Sequence, residues 1–193
     1  PGLNLMFETR EGILKHCSAA NARRLGDLGA RFLERQQPSL EAQLANLADA
    51  IAYNNHDVDD GIRAGLITIE ELREVAIFRR QYDCVTERYP DLPARRLVHE
   101  VVRRMIDYLV NDLVDASTAS IAAASPGSVD DVRSRSAPLL TVGAEAEAEH
   151  LELKRYLRQH LYRHYRVLRM TTKARRVVRE LFEAMLEEVE LMP

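Results

Sequence analysis

Apolar positions recur along this chain at three- and four-residue intervals. No stretch alternates over five or more residues with β-branched enrichment. The pattern predicts an all-α protein. A short amphipathic helix is expected over 5–16. Residues 20–36 are ambiguous, because Gly26 and Gly29 break the period. Pro38 and Ser39 open a long helix with Ser39 as N-cap and Glu41 in the first turn, and Gly61 and Gly65 end it. Thr68-Ile-Glu-Glu71 reads as a capping box that starts a helix running to about Tyr89. Pro90 and Pro93 break the chain. A helix over 94–124 comes next, with Leu97, Val101, Met105, Tyr108 and Leu109 at helical spacing. The aperiodic stretch 124–138 is expected as a loop, and two last helices as 143–168 and 171–190.

The helix that Ser39 opens carries unusual chemistry. In SLEAQLANLADAIAYNNHDVDDGIRAG, residues 39–65, Asp49, Tyr53 and Asp57 stand four apart and so share one helix face. Alanines at 45, 48, 50 and 52 make the helix slim enough for a neighbour or ligand to approach. A carboxylate among apolar residues needs a positive partner if buried, and either a metal ion or an Arg of a packed helix would serve. Tyr53 offers a flat apolar face and a hydroxyl to a sugar or base. Asp57 can accept hydrogen bonds from hydroxyls. Asp57, Asp59 and Asp60 at a helix C-terminus oppose the macrodipole and call for compensation. DVDDG is not a calcium loop, because its glycine stands at position five and Thr68 occupies position twelve. His56-Asp57 has no neighbouring histidines that would complete a metal site.

Composition narrows the setting. The chain has 193 residues, 46% hydrophobic and 30% charged, with a formal net charge of -3. These values fit a globular domain, and the net charge by itself does not call for nucleic acid. Cys17 and Cys84 lack metal-ligand or disulfide-framework spacing and suit a reducing, cytoplasmic compartment. No apolar run approaches the ~20 residues of a bilayer span. The start, Pro1 with Leu3-Asn4-Leu5-Met6-Phe7 shortly after it, reads like the interior of a longer protein.

EAQLANLADAIAYNNHDVDDGIRAG strongly resembles a segment of the HD-domain deoxynucleoside triphosphate triphosphohydrolases, the dGTPase-like family. PGLNLMFETREGILKH, SVDDVR and LKRYLRQHLYRHYRV resemble it too, in the same order over most of the chain. The resemblance implies an HD-domain-like helical bundle fragment with long C-terminal helices. It would be a single all-α unit over 1–193: the end of the HD core over 1–66 and a C-terminal helical region over 67–193. In that family a divalent metal, Mg, Mn or similar, is held by a His, a His-Asp doublet and a later Asp. The later Asp matches Asp49. The sugar-contacting Tyr and Asp match Tyr53 and Asp57, and Lys154, Arg158 and Tyr162 fall on the last pocket helix. The family's other three ligands precede its PGLNL-like segment, so this chain is expected as a C-terminal half that does not hydrolyse nucleotides unaided. The implied reaction converts a deoxynucleoside triphosphate and water to a deoxynucleoside and inorganic triphosphate.

Between Lys154 and Glu180 there are ten basic residues, and the acid that closes the span is the sole one in it. Some of them suit a triphosphate, since Arg offers bidentate geometry. Most are expected as a solvated face whose stems cover apolar surface. A nucleotide-effector or single-stranded nucleic-acid patch is the rival reading, in which the chain is a non-catalytic helical binding or oligomerisation module. His160 and His164 stand four apart but lack a nearby carboxylate, and are expected as polar or interface residues; His16 and His99 are expected as structural. The long amphipathic helices predict a homo-oligomer.

Overall fold

The computed structural model describes residues 3–14 and 17–191, so His16 lies outside the described residues. Among the described residues every regular element is helical: α1 (Phe7–Ile13), α2 (Ala19–Ala22), α3 (Asp27–Glu34), α4 (Leu40–Arg63), α5 (Ile69–Leu72), α6 (Ala76–Arg88), α7 (Ala94–Ala124), α8 (Val129–Arg133), α9 (Ala144–Leu157) and α10 (Tyr165–Glu187). A π-helical turn, Arg158–Tyr162, extends α9, and a short 3-10 turn, Val189–Leu191, lies beyond α10.

The expected helices are present, with their ends adjusted. Ser39 caps α4 through Ala42 N–H, and Thr68 and Glu71 form the capping box. The helix expected to run to Tyr89 breaks after Leu72, and α6 restarts at Ala76. Ala76 N–H donates to Glu152 of α9 at 3.1 Å, so a distant side chain serves the new N-terminus. The stretch 124–138 contains one helical turn, α8, capped by Ser128. Gly61 lies inside α4, and Gly65, at φ 61°, makes the left-handed turn beyond it.

The core is the common interior of α4, α6, α7 and α9. Val58, Ile77, Phe78, Val101, Met105, Leu109, Leu153 and Leu157 are fully or almost fully buried there. α9 runs in the same sense as α4. Gln43 meets residues 139 and 140, Asn54 meets His150, and Leu161 approaches Gly61. Buried polar groups fix this register. Gln43 accepts from Leu139 and Leu140 N–H at 2.9 and 3.1 Å and donates to Pro38 carbonyl at 2.9 Å. Ser117 of α7 bonds both backbone groups of Thr141, and Asp112 accepts from Gly143 N–H at 2.6 Å, just before α9 begins. Arg80 of α6 pairs with Glu145 and Glu149 of α9.

Residues 20–36 resolve into α2 and α3, separated by a turn at Gly26 with φ 55°. Gly29 sits inside α3 because α2 crosses it closely: a Cβ there would lie 1.8 Å from the Ala22 carbonyl oxygen. Glu11 of α1 is buried beside Arg31 of α3, at 2.8 Å, and Arg133 of α8, at 3.5 Å. Burial lowers the Arg31 pKa, and Glu11 opposes that shift. Removing one partner of such a buried group costs more than the pair contributes.

Two glycine substitutions separate propensity from packing. Gly12→Ala, with open space at its Cβ, should raise stability by up to about 1 kcal/mol. Gly29→Ala should lower it by at least about 2 kcal/mol, since backbone must move. Urea denaturation of the two variants gives the signs.

Candidate functional site

The α4 face opposite the core presents Asp49, Tyr53 and Asp57 in line, as their spacing predicts. Asp49 is exposed, with exposed Ala48 and Ala52 around it, so its carboxylate is not among buried apolar groups. Tyr53 is also exposed, at 59%. Asp57 is half-buried, where α9 and its π turn come alongside α4.

The π turn positions Tyr162 here. A π turn is wider than an α turn and shifts the register of the residues beyond it. Tyr162 O–H donates to the Asp57 carboxylate across 105 residues of sequence. The Tyr53 and Tyr162 rings lie 6.4 Å apart, tilted by 46°. Burial raises the Asp57 pKa most strongly, and the Tyr162 hydroxyl partly offsets this by stabilising the charged form. The Tyr162 hydroxyl is itself held far above its ordinary pKa, by burial first and then by its bond to Asp57. It stays a proton donor. The remaining acids at the end of α4 have ordinary compensation: Arg63 is 3.8 Å from Asp59 and 3.6 Å from Asp60, and half-exposed His99 is 3.8 Å from Asp59.

Sequence reasoning missed Asn54 and His150. Asn54 is buried and its amide lies 2.9 Å from His150 Nε2. The second ring nitrogen, Nδ1, is buried without a hydrogen-bond partner. Burial lowers the His150 pKa, and Lys154 one turn on lowers it further. No motif marked this pair, because Asn54 stands next to Tyr53 as an ordinary helix residue and His150 closes an Ala-Glu run. Lys154 and Arg158 are exposed on the α9 side, with Lys154 close enough to His150 to influence its charge. The chain thus brings Tyr53, Asp57 and Tyr162 into contact and sets His150 and Lys154 on the neighbouring helix.

The other histidines have local partners. His160 stacks on Tyr156 at 4.4 Å, and His164 caps α10 by accepting from Arg166 N–H. Among the described residues no three His, Cys, Asp or Glu side chains converge as a metal site. The described residues therefore do not hold a metal ion by themselves. No described helix is long and apolar enough to cross a membrane.

His150 supplies a pH-dependent contribution to stability. Its folded pKa lies below the unfolded value, so the unfolded chain takes up the proton first. Stability should fall as pH drops below about 6.5 and through the folded pKa. The His150→Gln variant should flatten that part of the profile in urea titrations between neutral and acidic pH.

Residues 140–193, which include α9, the π turn and α10, match the family model of the phosphohydrolase-associated domain. The whole chain aligns with a deoxyguanosinetriphosphate triphosphohydrolase-like protein of Bordetella pertussis at 62% identity over 192 residues, covering 50% of that protein. Proteins of the same name from Thiobacillus denitrificans and Nitrosomonas europaea align at 53% and 52% identity, each with 51% of its length covered. The chain spans about half the length of the curated relatives it matches. At such identity throughout, it is homologous to the C-terminal part of the deoxyguanosinetriphosphate triphosphohydrolase-like proteins.

Proposed function

We propose that this chain forms one wall of the substrate pocket of a deoxynucleoside triphosphate triphosphohydrolase. The observation that carries the reading is the convergence of Tyr53, Asp57 and Tyr162 from two helices. An aromatic face beside an oriented carboxylate suits a sugar: the ring covers the apolar face and the carboxylate accepts from a hydroxyl. Tyr162 holds Asp57 in one orientation. Lys154 and Arg158 reach toward the phosphates and neutralise them. The names of the relatives, deoxyguanosinetriphosphate triphosphohydrolase-like, support a deoxynucleotide as that ligand.

Asp49 stands on the same face, at the end away from Asp57, and can give one carboxylate to a divalent cation such as Mg or Mn. A cation of this kind polarises phosphate oxygens and activates water. The rest of its coordination has to come from outside the described residues, since none of them completes it. In this reading the chain by itself binds nucleotide weakly and does not hydrolyse it.

In the whole protein, Asp57→Asn should lower kcat/KM for dGTP about 10- to 100-fold, the loss of a charge-assisted hydrogen bond. Tyr162→Phe should do less, through KM, because Asp57 remains but is no longer held. Asp49→Ala should abolish triphosphate release, measured by chromatography of the products. Wild-type release from the Asp49 variant would assign that carboxylate a structural role. Retained dGTP turnover in the Asp57 variant would remove the sugar contact. Single-stranded DNA binding with steep salt dependence, indifferent to both substitutions, would favour a binding module instead.

A further inference from the structure

α10 is a 23-residue helix that buries none of its side chains. Its main contacts are with the turns that flank it in sequence. It is nevertheless strongly two-faced. Val167, Thr171, Ala174, Val178, Leu181 and Met185 alternate at spacings of four and three, the a/d seam of a coiled coil. Leu168, Val177 and Phe182 widen that stripe and are 51%, 49% and 62% exposed. An apolar stripe of this length left in water is costly, and a helix of this kind draws its stability from packing.

The seam is self-complementary about its midpoint. Val167 and Met185, Thr171 and Leu181, and Ala174 and Val178 are each equidistant from Arg176. Laid antiparallel on a second copy, each smaller side chain meets a larger one. The charges point the same way. Tyr165–Arg176 contains five basic residues and no acid, whereas Glu180, Glu183 and Glu187 lie in the second half. Within one helix this order opposes the macrodipole, with cations at the N-terminal end and carboxylates at the C-terminal end. A parallel partner would set like charge beside like charge. An antiparallel partner sets the basic half beside the acidic half, with Arg169 level with Glu183 of the second copy.

We infer that α10 is a dimerisation helix, and that its partner is α10 of a second copy of this chain, antiparallel about Arg176. The interface is isologous, as a two-fold requires. This inference stands on α10 alone and is independent of the nucleotide reading.

Disulfide trapping tests both partner and direction. In a background carrying Cys17→Ser and Cys84→Ser, chains with Ala174→Cys and chains with Val178→Cys are oxidised separately and as a mixture. The antiparallel seam predicts fast cross-linking in the mixture, producing the mixed dimer, and slow cross-linking in each chain alone. Faster cross-linking of either chain with itself overturns the antiparallel arrangement. Sedimentation of the unsubstituted chain at micromolar concentration should give a dimer, and Leu181→Glu should give a monomer with unchanged far-UV circular dichroism. A monomeric unsubstituted chain overturns the proposal and assigns the stripe to another partner. Arg169→Glu should weaken the dimer several-fold, and adding Glu183→Arg should restore it. Failure of that restoration, with the dimer otherwise present, removes the charge pairing and the register built on it.

Discussion

The line along which α9 lies parallel to α4 governs the arrangement of the candidate site. Two parallel helices of one chain need a long connection, and here α5, α6, α7 and α8 supply it. The line is held at its beginning by Gln43, whose one side-chain oxygen accepts two backbone N–H groups. It is held in its middle by Asn54 and His150, and at its end by Leu161 against Gly61. These contacts are buried or half-buried, and an unsatisfied buried donor is costly, so sliding one helix past the other is strongly opposed. Asp57 and Tyr162 meet because that register is fixed upstream of them.

α6 and α7 set the position of α9 in the other direction. Asp112 and Ser117 bind the backbone immediately before α9, and Arg80 pairs with its first turns. The apolar interior of the four helices supplies the bulk of the stabilisation, through side chains such as Phe78, Met105 and Leu153. The polar contacts select which of several similar helix packings is adopted. Hydrophobic burial is non-directional and would tolerate a shift that the hydrogen bonds do not.

Much of this was legible in the residues. Ser39 and the Thr68–Glu71 box carry their capping geometry in local sequence, and both helices begin where those residues say. The stripe of Asp49, Tyr53 and Asp57 comes from the helical period. The break after Leu72 was not legible, because it depends on Glu152, a side chain 76 positions away that receives the new N-terminus. Burial at Asp49 was expected from its apolar sequence neighbours, but those neighbours are alanines on the outward face. His150 was hidden for a related reason: its partner Asn54 is distant in sequence, and a single histidine in a Glu-rich helix has no periodic signature. The pairing of Tyr162 with Asp57 depends on a π turn, for which propensity offers no reliable marker.

That wide turn at Arg158–Tyr162 makes chain length there a structural variable. Each residue of an α-helix rotates the next by about 100°. Losing one position from the turn would return it to ordinary winding and swing everything downstream through roughly that angle. The phenol would leave the carboxylate, and the last long helix would leave the body of the molecule in another direction. A one-residue deletion in the surface stretch around Pro126 should be absorbed locally, as loops absorb changes. The same deletion at Gln159 would re-aim all 23 residues of α10 while leaving the interior shared by α4, α6, α7 and α9 in place.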